Sequence, residues 1–271
     1  VRCTRHELNR WQVTGAGKMQ VAVVTLFPEM FAALTEHGVS GRGIETGLLE
    51  LSFWNPRDYC TDKHRNVDDK PFGGGPGMLM KTEPMLATIG AARAGLGEQK
   101  SGQSRCIYLS PQGQRINHQK VTELAALDSI TLVCGRYQGI DARVIEAVID
   151  EELSLGDFVL SGGEIAAMAL LDALIRIQPG ALGDEGSATQ DSLTDGLLHA
   201  PEYTRPQLYE GRVVPSVLLS GDHAAIAHWR SKQRLGVTWL KRPDLLDRLK
   251  LSQEQQALLE EFKQEYWADR A

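Results

Sequence analysis

Apolar residues in this chain come in short runs separated by polar, glycine-rich breaks. Val21–Phe27 is continuous and apolar, the mark of a buried strand, and Leu48–Trp54 alternates loosely as a second. Residues 107–110, 130–134 and 158–160 are further apolar runs that predict strands. Between these runs, residues 28–37, 82–94, 118–126, 141–149 and 163–177 read as helices. Strands alternating with helices predict an α/β domain around a parallel sheet. Residues 56–77 interrupt the pattern with a long polar segment ending in Gly73-Gly-Gly-Pro-Gly77, and loops of that length are usually functional or disordered. Residues 95–104 predict a surface loop.

Three apolar runs break into loops of Gly, Ser, Pro and polar residues: Ile107-Tyr-Leu-Ser-Pro-Gln-Gly113, Cys134-Gly-Arg-Tyr-Gln-Gly-Ile-Asp141 and Gly156-Asp-Phe-Val-Leu-Ser-Gly-Gly-Glu164. Ligands of open α/β sheets sit at the carboxyl ends of the strands, and glycine there lets the backbone come close to them. One pocket built mostly from backbone is therefore expected. Past Pro179-Gly180, residues 181–196 are rich in Gly, Ala, Ser, Thr and Asp and read as an interdomain linker. Beyond it Asp222 caps a helix to about Leu235, Pro243 opens another, and Ser252, with Glu254 and Gln255 in the first turn, caps the last. The expected organisation is an extension at 1–18, an α/β domain at 19–180, a linker at 181–196 and a smaller helical domain at 197–271.

Charge changes this picture only locally. With 29 Lys and Arg against 35 Asp and Glu, the net charge of −6 argues mildly against a nucleic-acid partner. Yet His223 to Pro243 holds no acid, while Arg230, Lys232, Arg234, Lys241 and Arg242 lie there with Trp229 and Trp239. That segment reads either as a grip on phosphates and bases or as a solvated helix face over core tryptophans. Cys3, Cys60, Cys106 and Cys134 show no CxxC spacing; Cys106 and Cys134 flank apolar runs and are expected to be buried thiols, which with the absence of a signal-peptide pattern points to a reducing cytoplasm. There is no signal-peptide pattern and no apolar stretch of transmembrane length. The histidines lack HxxxH or HExxH spacing, which speaks against zinc, and Gly15-Ala-Gly-Lys18 is an incomplete phosphate loop.

Seven motifs in order carry a family resemblance. They are Leu26-Phe-Pro-Glu-Met30, Arg65-Asn-Val-Asp-Asp69 running into Gly73-Gly-Gly-Pro-Gly-Met78, Tyr108-Leu-Ser-Pro-Gln-Gly113, Cys134 to Asp141, Gly156 to Glu164, His199-Ala-Pro-Glu-Tyr-Thr-Arg-Pro206 and Val214-Pro-Ser-Val-Leu-Leu-Ser-Gly-Asp-His223. From Met19 to about Phe262 the chain resembles the bacterial tRNA (guanine-37-N1)-methyltransferases of the SPOUT superfamily. The resemblance implies a parallel sheet with a deep trefoil knot, S-adenosylmethionine bent within it, a homodimer sharing its active sites, and magnesium dependence. It implies N1 methylation of guanine 37 beside the anticodon, which supports reading-frame maintenance.

Carried onto this chain, the resemblance places the cofactor against Tyr108, Leu109, Ser110 and Pro111, then Gly135, Tyr137, Gln138 and Gly139. Its third wall would be Ser154, Leu155, Gly156, Phe158, Leu160, Gly162 and Gly163. Arg176 matches the active-site arginine and Asp191 the general base. No metal ligand is assigned. Arg65, Asp68, Arg205, Arg230 and Lys232 are the candidate RNA contacts. Three residues depart from the family pattern: Gln138 where a carboxylate linked to the cofactor's methionine end and a divalent ion is usual, Phe158 for a common Tyr, and Ala166 for a common Pro.

The chemistry suits these residue types. Guanine N1 carries a proton at neutral pH, so a carboxylate at Asp191 would remove it, and an always-charged guanidinium at Arg176 would meet the charge growing on O6. Without the resemblance, Asp191 reads as a linker or cap residue and Arg176 as a cation favouring a helix C-terminus. Two alternatives stand beside the methyltransferase: a non-catalytic RNA-binding protein and a ribose 2′-O-methyltransferase. A doubly wound nucleotide-phosphate enzyme lacks its fingerprint here.

Overall fold

The computed structural model describes residues 19–97, 103–182, 191–268 and 270. The expected extension at 1–18, with Gly15–Lys18, lies outside the described residues. The chain divides into two compact units, Val1–Gly183 and Asp184–Ala271.

The first unit is built on β1 (Met19–Val24), β2 (Leu49–Trp54), β5 (Ser104–Arg115), β6 (Ser129–Cys134) and β7 (Glu151–Ser154). They form one sheet in the order β2-β1-β6-β5-β7, and every neighbouring pair is parallel. Side chains alternate across each strand, so an apolar run feeds both faces. Met19, Val21, Val23, Ile107, Leu109, Ile130 and Leu132 enter one core with Leu170, Leu171 and Leu174 of α6 (Glu164–Arg176). Ala22, Val24, Cys106, Tyr108 and Val133 enter the other, with Met85 and Ile89 of α3 (Thr82–Gly95) and Val144 of α5 (Ala142–Val148). The helix α4 (His118–Ala125) adds Val121 and Leu124 to the first core. A short antiparallel ribbon joins β3 (Asp68–Asp69) to β4 (Leu79–Met80).

Three sequence expectations are corrected here. The apolar run 158–160 is not a strand; the edge strand is Glu151–Ser154, masked in the sequence by its two acids. The strand read at 107–110 spans Ser104–Arg115, because Leu109 and Gln114 both face Leu153 and residues 110–113 bulge between them. The helix read at 28–37 is a 3₁₀ turn, Pro28–Phe31, then α1 (Ala32–Thr35), and a further helix α2 (Gly38–Glu45) follows. Its glycines hid α2, yet they let it approach α6: a Cβ on Gly43 would stand 2.6 Å from Ile175 Cγ2. Ser40 of α2 also donates a hydrogen bond to Asp172 of α6.

In the second unit, α7 (His223–Lys241) packs on α9 (Gln253–Ala268), with α8 (Pro243–Leu246) between them in sequence. Leu197, Leu235, Leu258 and Leu259 form the core, with Trp239 against it. Asp222 caps α7 by accepting the Ala224 and Ala225 amides, and Ser252 and Gln255 form a reciprocal capping box on α9. The expected stop near Leu235 is overrun because Gly236 serves packing: a Cβ there would meet the Phe262 ring at 2.3 Å. A tight hairpin joins β8 (Leu208–Tyr209) to β9 (Arg212–Val213) through Glu210 and Gly211, both at positive φ. No helix of the described residues is long and apolar enough to cross a membrane.

Candidate active site

The carboxyl ends of β5, β6 and β7 surround a cleft of about 420 Å³. Tyr108, Leu109, Ser110 and Pro111 line it from β5; Gly135, Tyr137, Gln138 and Gly139 from the second loop; and Ser154, Leu155, Gly156, Phe158, Leu160, Gly162 and Gly163 from the third. The structure thus brings together all the residues that the sequence proposed for the cofactor. Arg136, Leu153, Val159 and Ala166 complete the lining, so it contains no Asp or Glu.

Local backbone chemistry shapes each wall. Gly139 takes φ 123° and Tyr137 φ 60°, so the second loop folds back on itself, closed by Gly139 N–H donating to Arg136 O at 3.1 Å. It comes close to the Tyr108 ring, since a Cβ on Gly135 would stand 2.8 Å from the ring edge. Burial raises the Tyr108 hydroxyl above its ordinary pKa, keeping it neutral. Ser154 closes the third loop, donating to Gly156 O at 2.9 Å and accepting the Gly156 amide at 3.2 Å. Phe158 and Val159 stay 55% and 84% exposed, leaving apolar surface open at the cleft. Burial pushes the Cys106 thiol up to about 12 and raises Cys134 as well, so both are inert thiols, as the sequence suggested.

Within the lining, Arg136 meets Glu164. Nε of Arg136 lies 2.9 Å from Oε2 of Glu164, whose side chain is fully buried. The other carboxylate oxygen accepts from Thr25 Oγ1 at 2.9 Å. Neither charged residue was singled out from sequence. The available signal was an acid opening an otherwise apolar helix, Glu164-Ile-Ala-Ala-Met-Ala-Leu-Leu, which only a buried partner would tolerate.

The ribbon of the long polar loop is zipped onto the second loop. Met80 N–H donates to Gly139 O at 3.0 Å, Asp141 N–H to Met80 O at 3.1 Å, and Gln138 N–H to Met78 O at 3.0 Å. Gly77 leaves room for Gln138, whose Nε2 would lie 2.7 Å from a Cβ there. Asp68, on the ribbon, reaches the Tyr137 hydroxyl, which burial and that carboxylate together hold above its ordinary pKa. Arg65 pairs with Asp58 at 3.4 Å on the surface.

Arg176 is the last residue of α6, in the first unit; Asp191 opens a hydrogen-bonded turn, 191–196, in the second. The second unit has its own cleft of about 730 Å³, with Val214, Leu218, Leu219 and Ile226 as an apolar floor and Tyr203, Arg205 and Arg230 at its polar side. Both arginines are exposed, and neither has a carboxylate partner among the described residues. The expectation for Lys232 is corrected: it is buried, and its ammonium sits 2.7 Å from both Glu261 and Glu265 of α9. Burial works against its charge, but the two carboxylates outweigh it and raise the pKa. Arg234 pairs with Asp195, and Arg242 with Asp244 at 2.7 Å. Trp239 belongs to the core, edge-on to Tyr266 at 5.6 Å. Three of the segment's five cations are therefore paired within the fold, while Arg230 faces the cleft and Lys241 is exposed. No group of three or more His, Cys, Asp or Glu gathers for a metal among the described residues, so no residue is assigned to magnesium.

Comparison with known proteins gives a consistent answer. The family described as tRNA (Guanine-1)-methyltransferase TrmD matches residues 19–248. A tRNA (guanine-N(1)-)-methyltransferase of Aromatoleum aromaticum is 56% identical over 252 residues, 93% of this chain and 96% of the relative. Proteins of the same name from Cronobacter sakazakii and Chromohalobacter salexigens are 55% and 56% identical, covering 92% and 90% of this chain and 95% and 92% of the relatives. With the strand-end cleft and the full run of motifs inside one matched span, this chain belongs to the tRNA (guanine-1)-methyltransferase TrmD family.

Proposed function

We propose that this protein methylates N1 of guanine 37 in tRNA, using S-adenosylmethionine held in the cleft between β5, β6 and β7. The observation that carries the reading is the convergence of three separate motifs on that cleft in a chain whose family match covers residues 19–248. The lining fits the group: an apolar, glycine-cradled slot suits an adenosine, and the absence of carboxylates leaves a positive sulfonium without a stabilising counter-charge. When bound, S-adenosylmethionine supplies a methyl group on a sulfonium that leaves as a neutral thioether.

The chain's own residues do the rest. The cleft walls hold the donor so that the target nitrogen approaches in line, and positioning of that kind lowers a barrier by several kcal/mol. Asp191 takes the N1 proton as the new N–C bond forms, and base catalysis of this type is worth about 10²–10⁴-fold. Arg176 holds the O6 oxygen as negative charge grows on it. Tyr203, Arg205 and Arg230 in the second unit and Arg65 and Asp68 in the first contact the RNA. We further infer a trefoil knot and a homodimer that shares its active sites, working in the cytoplasm. The knot reading rests on the family resemblance; the second and third loops touch, with Gly163 N–H donating to Gly135 O at 3.0 Å, as such a packing requires.

Labelled S-adenosylmethionine with a tRNA transcript carrying guanines at 36 and 37, beside a twin with adenine at 37, tests the function. N1-methylguanosine from the first alone is expected; label in the twin, or none in either, defeats it. Asp191→Ala then separates N1 from ribose chemistry. Loss of turnover with cofactor binding intact is expected, whereas near-normal turnover points to a 2′-hydroxyl.

A further inference from the structure

The reaction above leaves two charged side chains unused: the buried Glu164 and the partly buried Arg136 that meets it. Burying an ion pair is costly, and such pairs are often no more stabilising than apolar residues of the same volume. Stability alone therefore does not account for Arg136 and Glu164, and their placement at the cleft marks them for another role. Arg136 belongs to the second cleft loop, and Glu164 opens α6 where the third loop ends. The positive end of that helix favours a carboxylate in its first turn.

The pair is a junction of three segments. Besides its contact with Glu164, the guanidinium donates from Nη1 to Ser161 O at 3.3 Å and from Nη2 to Met30 Sδ at 3.2 Å. Its plane lies over the Phe27 ring, 4.5 Å from the centroid. Thr25, at the exit of β1, donates to Glu164 and accepts the Phe27 amide at 3.0 Å. Glycines admit this junction: a Cβ on Gly162 would stand 2.3 Å from Arg136 Nε, and one on Gly163 2.8 Å from Cys134 Cα. The Nε–H does not point along its line to Oε2, so the pair is held by charge more than by a directed bond.

We infer that Arg136 and Glu164 are a positioning pair that sets the spacing of the second and third loops, and through it how tightly the cleft holds the adenosine cofactor. This rests on the cofactor reading proposed above. Arg136 is the one charged side chain in the cleft lining, so no other ion pair there can substitute.

The probe is S-adenosylhomocysteine, titrated calorimetrically into the full-length protein, with melting temperature and tRNA affinity measured in parallel. Glu164→Gln is expected to weaken the probe at least tenfold and to raise KM for S-adenosylmethionine, with tRNA affinity within twofold. The double variant Arg136→Met, Glu164→Leu is expected to recover the melting temperature but not the probe affinity. A merely structural pair predicts the reverse, with affinity returning alongside stability. If Glu164→Gln does not fold, Arg136→Lys, which keeps the charge but loses the planar fork, is read by the same criteria. Probe affinity within twofold of the parent protein in the folded single variant overturns the inference. Failure of the unaltered protein to bind the probe overturns the cofactor reading itself.

Discussion

Arg230 and Lys232 stand two positions apart on α7 and, by helical geometry, on different faces. Arg230 opens onto the second unit's cleft, while Lys232 is clamped by Glu261 and Glu265. Arg230→Ala is expected to weaken tRNA binding about fivefold and to lower the salt slope by about one ion. Lys232→Met is expected to leave tRNA affinity within about twofold and to act on stability alone, because its partners are half-exposed and can return to water. Filter binding at several salt concentrations separates the two; equal losses would place Lys232 at the RNA after all. The Lys232 contribution has a definite pH sign. Its pKa is raised and that of Glu261 is lowered, so the pair stabilises between the carboxylate and lysine ranges. It is lost as pH rises through the raised lysine value or falls through the lowered carboxylate value. The sequence displayed both cations equally. What separates them is a helix about thirty residues further on, which local reading could not reach.

Glycine illustrates the same divide for whole elements. Gly113, at the bulge of β5, lies against β7: a Cβ there would stand 2.4 Å from Glu152 C and Leu153 N, and backbone cannot yield cheaply. Gly113→Ala is expected to cost about 1–3 kcal/mol and to weaken S-adenosylhomocysteine binding, because the bulge forms one wall of the cleft. Gly90, exposed within α3 with nothing within 4 Å of its would-be Cβ, is the opposite case. Gly90→Ala is expected to stabilise by about 0.5–1 kcal/mol, and urea titrations of both variants check the pair. Apolar periodicity revealed β1, β2, β6, α3, α4, α5 and α6 because each buries a regular face. It misread 158–160, whose apolar residues line the cleft instead of pairing in the sheet, and β7, whose acids conceal an edge strand.

For the whole molecule, the proposed homodimer with shared active sites makes a test that neither unit alone provides. Arg176→Ala and Asp191→Ala are each expected to abolish turnover in homodimers. In a randomly mixed dimer population, sites built from both subunits would regain about a quarter of full activity, since half the dimers would hold one intact site. No recovery on mixing, with exchange verified by differently tagged chains, would show that each site is built within one subunit.

The alternation of strands and helices around a parallel sheet, and one pocket at the strand-end loops, were legible in the sequence because apolar runs, glycines and caps are local signals; the candidate cofactor residues came from the family resemblance. Only the tertiary structure decided that Arg136 of the cleft lining meets the buried Glu164, that the edge strand is Glu151–Ser154, and that three of the five cations of a basic segment are paired within its own fold. Those outcomes depend on which residues burial brings together, and a charge is worth what surrounds it.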